Sequence, residues 1–272
     1  MTVDVEDYFQ VSAFERHISK GDWNKYPVRV EHNTDRILEM FDSSHVRATF
    51  FVLGWIAERF PQLVRRIADA GHEIASHGHQ HTRVTEQNAT QFRQDVGTTK
   101  RLLEDVVGLP VSGYRAASFS INSTNLWAFD TLQEVGYSYS SSIYPIAHDL
   151  YGMPEAPRFP FRTKPDGIIE IPITTILMFK RNFPCGGGGY FRLLPYSFSR
   201  WAVGRVNKLD KQPAVFYFHP WEIDPQQPRI NGISLKARFR HYLNLNSMET
   251  RLRRLLTDFR WDRMDKVYHL TY

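Results

Sequence analysis

The chain has 272 residues, 42% of them hydrophobic and 14% aromatic, with a formal net charge of +5. This length and apolar content can bury a substantial core and are typical of one α/β barrel, so we expect a single domain over residues 1–272. The basic residues are scattered and form no tract interleaved with stacking aromatics, which argues against nucleic acid as a partner but leaves open attraction to an anionic membrane surface or acidic polymer.

Several functional classes are disfavoured by individual features. Cys185 is the single cysteine, so no disulfide can form within the chain. The segment before the first predicted strand has no leader-like apolar core, and the longest apolar run, residues 48–57, is too short to span a bilayer. We therefore expect a cytoplasmic protein without a transmembrane segment, with peripheral contact to the inner face of the membrane as an option. The sequence does not indicate an oligomeric state.

Short apolar runs alternate with amphipathic helical stripes along the chain. The predicted strands are Thr2–Val5, Ala48–Leu53, Glu73–Ser76, Val111–Tyr114, Tyr137–Ser141, Ile168–Ile173, Ala214–Phe218 and Val267–Leu270. Asn88 is placed to cap a long helix that Gly108 ends, and Asn246 with Glu249 resembles a capping box. Gly186 to Gly189 is typical of a flexible loop. Buried strands that alternate with helices predict an α/β barrel or a doubly wound sheet.

Titratable residues follow four of these strands. Asp4 and Glu6 lie at the end of the first, and His77, Arg115 and His219 lie at the ends of three others. The carboxyl ends of parallel strands form the rim where (β/α) barrels assemble their chemistry. The positions favour a barrel with a functional site at that rim.

The segment Ser76 to His81 contains three histidines within five residues. His77 and His81 are four residues apart, a spacing that lets both rings converge on one ion, whereas His79 would point elsewhere. Imidazole ligands suit Zn²⁺ and its neighbours, and a hydrolytic site would add a carboxylate. The alternative is a polar loop whose histidines only hydrogen-bond.

The combined pattern resembles the polysaccharide deacetylases of carbohydrate esterase family 4, which share the chitooligosaccharide deacetylase fold. Residues 2–9 and 216–224 look like the subgroup encoded with exosortase-linked exopolysaccharide loci. The resemblance covers nearly the whole chain. It implies a distorted (β/α) barrel of about seven parallel strands, which the part from about residue 145 onwards would complete.

The resemblance also implies roles for the acidic residues and the histidine pair. Asp4 matches the catalytic base of the first motif, and His77 and His81 match the metal-binding second motif. Most members have adjacent acids, but Val5 intervenes here, so Glu6 is the preferred third ligand and Asp7 the second choice. The alternative for Asp7 is a helix or loop cap.

The remaining motifs depart from the family pattern at two positions. Arg115 would pair with Asp4, but Ala117 stands where the family has proline. In the fourth motif Ser140 stands where an aspartate would support the catalytic histidine, and His148, Asp149 or Glu222 could compensate. His219 matches the general acid of the fifth motif. The alternative for His219 is a buried histidine bonded to the backbone.

The function implied is metal-dependent hydrolysis of the N-acetyl group of an amino sugar in an exopolysaccharide or its precursor. Zn²⁺ is the preferred metal, with Co²⁺, Mn²⁺ or Ni²⁺ as alternatives, and the partner is an N-acetylated polysaccharide or oligosaccharide. Candidate sugar-binding aromatics are Tyr8, Phe9, Trp127, Tyr144, Tyr190 and Trp221. Two alternatives are hydrolysis of another, cyclic amide and a degenerate barrel that binds polymer without cleaving it.

Overall fold

The computed structural model describes residues 1–270, and an eight-stranded sheet lies at its centre. Its strands are β1 (Thr2–Val5), β2 (Thr49–Val52), β3 (Glu73–Ser76), β4 (Gly113–Tyr114), β5 (Tyr139–Ser140), β6 (Phe161–Arg162), β7 (Ile169–Glu170) and β10 (Tyr217–Phe218). They are arranged in the order β10-β1-β2-β3-β4-β5-β7-β6, parallel except for β6 at the edge. The predicted distorted (β/α) barrel of about seven parallel strands is confirmed. Because β10 pairs with β1, the C-terminal part of the chain contributes to the same sheet.

Helices cover this sheet. They are α1 (Val30–Ser43), α2 (Gly54–Arg59), α3 (Pro61–Asp69), α4 (Ala89–Val107), α5 (Trp127–Val135), α6 (Gly188–Leu193), α7 (Tyr196–Arg205), α8 (Leu235–Tyr242), α9 (Leu245–Asp258) and α10 (Met264–Val267). Asn88 and Gln91 form a capping box at the start of α4, and Gly108 ends it in the left-handed conformation. Among residues 1–270 we find no helix with the length and apolarity that a bilayer span requires.

The strand register aligns the carboxyl ends of the central strands. Pairing runs in one row from Val5 through Val52, Ser76 and Tyr114 to Ser140. Because these residues are level across the sheet, the residues that follow them emerge together at one edge. This places Glu6, His77 and Arg115 at the same edge of the sheet, although they are distant in sequence.

Two predictions near the C-terminus are wrong. Residues 267–270 are not a strand, because the preceding backbone hydrogen-bonds to side chains of β2 and β3 instead of a strand partner. The Met264 amide donates to Thr49 Oγ1 at 2.8 Å and the Asp265 amide to Glu73 at 3.2 Å. The capping box at Asn246 and Glu249 is also absent, because α9 already begins at Leu245.

Gly186, Gly187 and Gly188 are buried against their neighbours, and Gly188 and Gly189 begin α6, which corrects the prediction of a flexible loop. A Cβ on Gly186 would lie 2.4 Å from the Val215 carbonyl oxygen, and a Cβ on Gly188 would lie 2.3 Å from Glu222 Oε1. Both positions therefore require glycine for close approach. Before this run lies an antiparallel hairpin of β8 (Thr175–Met178) and β9 (Arg181–Pro184), which the sequence did not indicate.

Candidate active site

A cavity of about 500 Å³ opens at the carboxyl edge of the sheet. Asp4, Glu6, His77, His81 and His219 line it together. The register explains this convergence, because each of these residues lies at or just beyond the end of a neighbouring parallel strand. The structure thus brings the predicted residues to one place.

Glu6, His77 and His81 form the cluster that could hold a metal ion. Their potential ligand atoms all lie within 4.8 Å of one another, and the three side chains are buried. Nδ1 of His77 lies 2.9 Å from the Arg115 carbonyl oxygen, so it donates there and leaves Nε2 free as a ligand. His81 adopts φ +52°, a conformation that few non-glycine residues take and that often marks functional positions.

The donor set fits a divalent cation. Burial raises the pKa of Glu6 to about 7, so its carboxylate is short of compensating positive charge. Its Oε2 lies 3.2 Å from His81 Nε2 but makes no hydrogen bond among the described residues, and the Nδ1 of His81 is likewise buried without one. Burial lowers the pKa of both His77 and His81 and keeps the rings in the neutral, metal-binding form. One carboxylate and two imidazoles with room for water match a catalytic Zn²⁺ site.

Asp7 lies outside this cluster, which corrects its candidacy as a ligand. Its carboxylate accepts hydrogen bonds from the backbone amides of Tyr8 at 2.8 Å, Arg29 at 2.7 Å and Val30 at 2.9 Å. Both oxygens are therefore used to cap the start of α1 and the turn after β1. Asp7 is therefore a cap, which was the alternative interpretation of this residue.

Asp4 and Arg115 form a fully buried ion pair with a nitrogen–oxygen distance of 2.5 Å. The guanidinium also donates to Thr2 Oγ1, the Ser141 carbonyl and Ser141 Oγ at 2.9–3.0 Å. It lies over the Phe51 ring, 4.0 Å from the centroid. These contacts fix Arg115 without the proline that the third motif usually supplies.

His219 is held between two carboxylates. Its Nε2 lies 3.1 Å from Glu6 Oε1 and its Nδ1 lies 2.8 Å from Glu222 Oε1, while the ring stacks on Trp221. Burial opposes protonation of this ring, but Glu6 and Glu222 outweigh it and raise the pKa of His219 to about 9. The side chain of His219 is bonded to a carboxylate, which disfavours the alternative of a backbone-bonded core histidine.

Glu222 is in turn fixed by Arg192, a residue that the sequence did not single out. Arg192 Nε lies 2.7 Å from Glu222 Oε2, and both side chains are buried. The same guanidinium donates to the carbonyls of residues 240, 241 and 243, which ties it to α8. Nothing in the local sequence indicates this contact, because 30 residues separate the partners.

Comparison with known proteins adds family evidence to this geometry. Residues 22–139 match the polysaccharide deacetylase family model, and residues 141–269 match a domain of unknown function, DUF3473. A Bacillus cereus peptidoglycan-N-acetylglucosamine deacetylase is 37% identical over 75 residues, 28% of this chain and 27% of that protein. A Helicobacter pylori peptidoglycan deacetylase is 31% identical over 109 residues, 40% of this chain and 36% of that protein. Sequence and fold together support the polysaccharide deacetylase family.

The matches with these curated relatives span only about a quarter to a third of the relatives' length. Solved structures extend the similarity of fold to the whole chain. A Mycobacterium smegmatis protein assigned as a polysaccharide deacetylase has a TM-score of 0.61 at 20% identity. The match covers 99% of this chain and 87% of the M. smegmatis chain. Puue allantoinase has a TM-score of 0.58 at 16% identity, and the match covers 87% of this chain and 71% of the allantoinase, so an allantoinase shares this fold.

The fourth deacetylase motif departs most clearly from the family pattern. Ser140 Oγ lies 2.7 Å from Ser142 Oγ, and the side chain that orients His219 is Glu222. A carboxylate is nevertheless present beside Ser140, because its register partner on β7 is Glu170. Glu170 Oε1 accepts the amides of Ser142 and Ile143 at 2.9 and 2.8 Å, and burial raises its pKa to about 7. The loop after β5 is therefore fixed by an acid from the neighbouring strand.

The other compensating candidates lie away from His219. The His148 ring stacks on Tyr151, with 4.0 Å between centroids. Asp149 forms ion pairs with Lys236 and Arg240 of α8. Of the three residues that could replace the motif aspartate, only Glu222 contacts the histidine.

We expect Glu170→Gln to change the pH dependence of stability. Because the folded pKa of about 7 exceeds the ordinary value, stability from protonated Glu170 is complete below about pH 4 and is lost as the pH rises through 7. Glutamine keeps the acceptor oxygen and removes the titration. The variant should match the parent at about pH 4 and exceed its free energy of unfolding by about 3 kcal/mol at most at pH 8. Urea titrations at both pH values test this, and a pH-independent difference would contradict it.

We expect Glu222→Gln to lower kcat about 10- to 100-fold and leave KM and metal content nearly unchanged. The amide keeps the shape of the side chain but removes the charge that orients and stabilises protonated His219. Steady-state kinetics and metal analysis provide the test. The surface variant Glu58→Gln is the control. If Glu222→Gln lost bound metal in proportion to its loss of kcat, the residue would belong to the metal centre instead.

The candidate sugar-binding aromatics divide into core and cavity residues. Tyr8, Phe9 and Tyr144 are buried in the core, and Trp127 packs edge-on against Phe92. Tyr190 and Trp221 line the cavity as predicted, and Phe119, Tyr151, Tyr217 and Phe239 join them. Sequence alone could not separate the two groups, because burial depends on which faces of the loops meet.

The cavity continues into a second one of about 770 Å³. Val11, Ser12, Ala13 and Leu150 line both cavities, which therefore form one elongated cleft. The outer part is bounded by the segment after β1 and by α8. A cleft of this length can accommodate several units of a chain-like ligand next to the reacting group.

Proposed function

We propose that this chain is a metal-dependent N-deacetylase acting on an amino sugar of a polysaccharide. The observation that carries the proposal is the meeting of the Asp4–Arg115 pair, the Glu6/His77/His81 cluster and His219 in one cavity. A base, a metal site and an acid are the groups that amide hydrolysis requires. The family evidence for residues 22–139 agrees with this assignment.

Glu6, His77 and His81 would hold the divalent cation, with Zn²⁺ preferred and Co²⁺, Mn²⁺ or Ni²⁺ as alternatives. When bound, the cation supplies Lewis-acid polarisation of water and of the acetamide carbonyl. The chain holds its carboxylate ligand between two histidines, His81 at 3.2 Å and His219 at 3.1 Å. The cluster is buried, which keeps the three ligands in fixed positions.

Asp4 is the proposed base. Arg115 pairs with its carboxylate and orients it, because the guanidinium is itself fixed by Thr2 and Ser141. Asp4 accepts the proton of water as the oxygen attacks the acetamide carbonyl carbon. Asp4 lines the cavity. The proposed role requires that its second carboxylate oxygen, the one not paired with Arg115, faces the cavity.

His219 is the proposed acid. Glu222 accepts from Nδ1, so the proton that the protonated ring can transfer is the one on Nε2. This proton passes to the amine as the carbon–nitrogen bond breaks, which yields acetate and a free amino sugar. Glu222 accepts from this ring and contributes to the raised pKa of His219, which favours the protonated form.

We further propose an exopolysaccharide or its precursor as the substrate, in the subgroup encoded with exosortase-linked loci. The motifs at residues 2–9 and 216–224 support this subgroup, and the elongated cleft supports an oligomeric ligand. Tyr190, which lines the cavity and is partly exposed, would provide a flat face for a sugar ring. A cytoplasmic location stays a prediction, and it would favour the precursor.

Hydrolysis of a cyclic amide is the second candidate function. Acids two residues apart, Asp4 and Glu6, and the fold shared with Puue allantoinase favour it. A small cyclic amide would not need the outer part of the cleft. The presence of that outer part therefore favours the sugar polymer as substrate. A degenerate barrel that only binds polymer is disfavoured, because base, charge partner and oriented acid are all in place.

The first test is acetate release from N-acetylglucosamine oligomers by metal-stripped protein, with and without added Zn²⁺ or Co²⁺. We expect release that depends on the metal and is absent for cyclic amides such as allantoin. Hydrolysis of the cyclic amide alone would support the second candidate. No hydrolysis of either substrate by protein with one bound metal per chain would support the binding role.

A further inference from the structure

The β8–β9 hairpin ends in a two-residue turn made of Phe179 and Lys180. Pairing of Met178 with Arg181 closes the turn, and both central residues have positive φ, +48° and +59°. Tight hairpin turns of this type strongly prefer Asn-Gly, because bulky side chains are strained at positive φ. The chain therefore places a large aromatic and a cation where the backbone would favour neither.

Apolar side chains are unusually exposed around this turn. Phe179 is 86% exposed, and Leu177 and Phe183 on the two strands are 49% and 36% exposed. Ile176, on the face opposite Leu177, is buried against Ala202 and Val206 of the following helical segment, and its register partner is Phe183. The tip thus exposes apolar side chains, while the hairpin itself is anchored to the rest of the chain by Ile176.

Positive charge lies on the turn and on the helical segment that packs against the hairpin. Residues 175–212 contain seven Lys and Arg residues and one acid, Asp210, and two of the seven cations, Arg192 and Arg200, are paired with Glu222 and Asp258. Asp210 is already paired with Arg158. Within the described chain, no ion pair involves Lys180, Arg181, Arg205, Lys208 or Lys211. Trp201 and Leu209 add exposed apolar area beside these cations.

We propose that this hairpin tip and the adjoining α7 region, residues 196–211, dock the protein on an anionic lipid bilayer. Exposed aromatic and aliphatic groups flanked by Lys and Arg match the interface of a bilayer, where apolar groups enter the acyl boundary and cations stay at the headgroups. An acidic polymer would satisfy the cations but would leave Phe179 and Leu177 in water. The apolar tip therefore favours lipid.

Docking here would also orient the cleft. The glycine run that follows β9 leads directly into α6, and Tyr190 and Leu193 of α6 line the cavity. A membrane-bound hairpin would hold this wall of the cleft close to the lipid surface. That arrangement suits a glycan carried on a membrane, whichever reaction the cavity performs.

The test is flotation of the whole protein with vesicles of phosphatidylcholine alone or with 30% phosphatidylglycerol added. The variant Phe179→Asn/Lys180→Gly replaces the tip with the preferred turn sequence, so it should fold at least as well as the parent. The matched control is Leu109→Asn/Arg101→Gln. It removes one cation, Arg101, from α4 and one exposed apolar side chain, Leu109, which follows the glycine cap of that helix.

We expect the parent and the control to float with the anionic vesicles only, and less so as salt is raised. Partitioning of the tip variant should fall about tenfold or more, since an inserted aromatic side chain and a headgroup-paired cation are both lost. Equal binding of parent and tip variant would overturn the proposal, as would absence of vesicle binding by the parent. Tip-dependent binding to soluble heparin but not to vesicles would overturn it in favour of an acidic polymer.

Discussion

Asp4→Asn should keep its bound metal and lose about 10²–10⁴-fold in turnover of an N-acetylated oligosaccharide. The amide has nearly the shape of the carboxylate but cannot accept the proton of the attacking water. The metal cluster is formed by other side chains, Glu6, His77 and His81, so it should survive the change. Acetate release and metal content, measured on the same preparation, provide the test.

The same substitution should lower stability, which the experiment must take into account. Arg115 is completely buried, and removal of its partner leaves a buried charge that costs about 3–5 kcal/mol. Rates should therefore be compared under conditions where urea titration shows both proteins folded. Asp42→Asn, at an exposed position, is the control. Unchanged turnover in folded Asp4→Asn protein would refute the role of this residue as the base.

His81→Ala should weaken metal binding more than about 100-fold and abolish metal-dependent turnover at ordinary metal concentrations. The change removes one of three buried protein ligands. Replacing a residue that only hydrogen-bonds to a metal ligand already lowers metal affinity 10- to 100-fold. Metal titration by calorimetry and metal analysis after dialysis measure the change without reference to catalysis.

His79→Ala is the matched control, because it removes an imidazole from the same segment. His79 Nε2 lies 3.2 Å from Glu58 and its amide donates to Asp95, so its ring points away from the cluster. This variant should bind metal as the parent does. Equal loss of metal in both variants would mean that the segment itself, not His81, had been disturbed.

Much of the fold could be predicted because local sequence carries the necessary signals. Strands buried on both sides appear as continuous apolar runs, and glycines end α4 and α5 where the helices stop. The hairpin at β8–β9 was missed because its turn, Phe179-Lys180, lacks the residues that usually indicate one. The residues at 267–270 were misassigned because an apolar run alone does not tell whether a strand partner is available.

Candidate site residues were predictable where a motif fixes their spacing. His77 and His81 lie four residues apart, and Asp4 and Glu6 follow one strand. Asp7 could not be distinguished from Glu6 by sequence, because the choice depends on the amides of α1, more than twenty residues away. Backbone donors close to Asp7 hold its carboxylate as a cap.

The sequence by itself determined the alternation of strands and helices, the acids and histidines at the strand ends, and the kind of chemistry these residue types can perform. Only the tertiary structure decided which of them meet. The strand register places Arg115 beside Asp4 across 111 residues, and packing of α6 on the turn after β10 brings Arg192 to Glu222 and so orients His219. The reason is physical: hydrogen bonds and ion pairs act over a few ångströms in space, and distance along the chain does not report them.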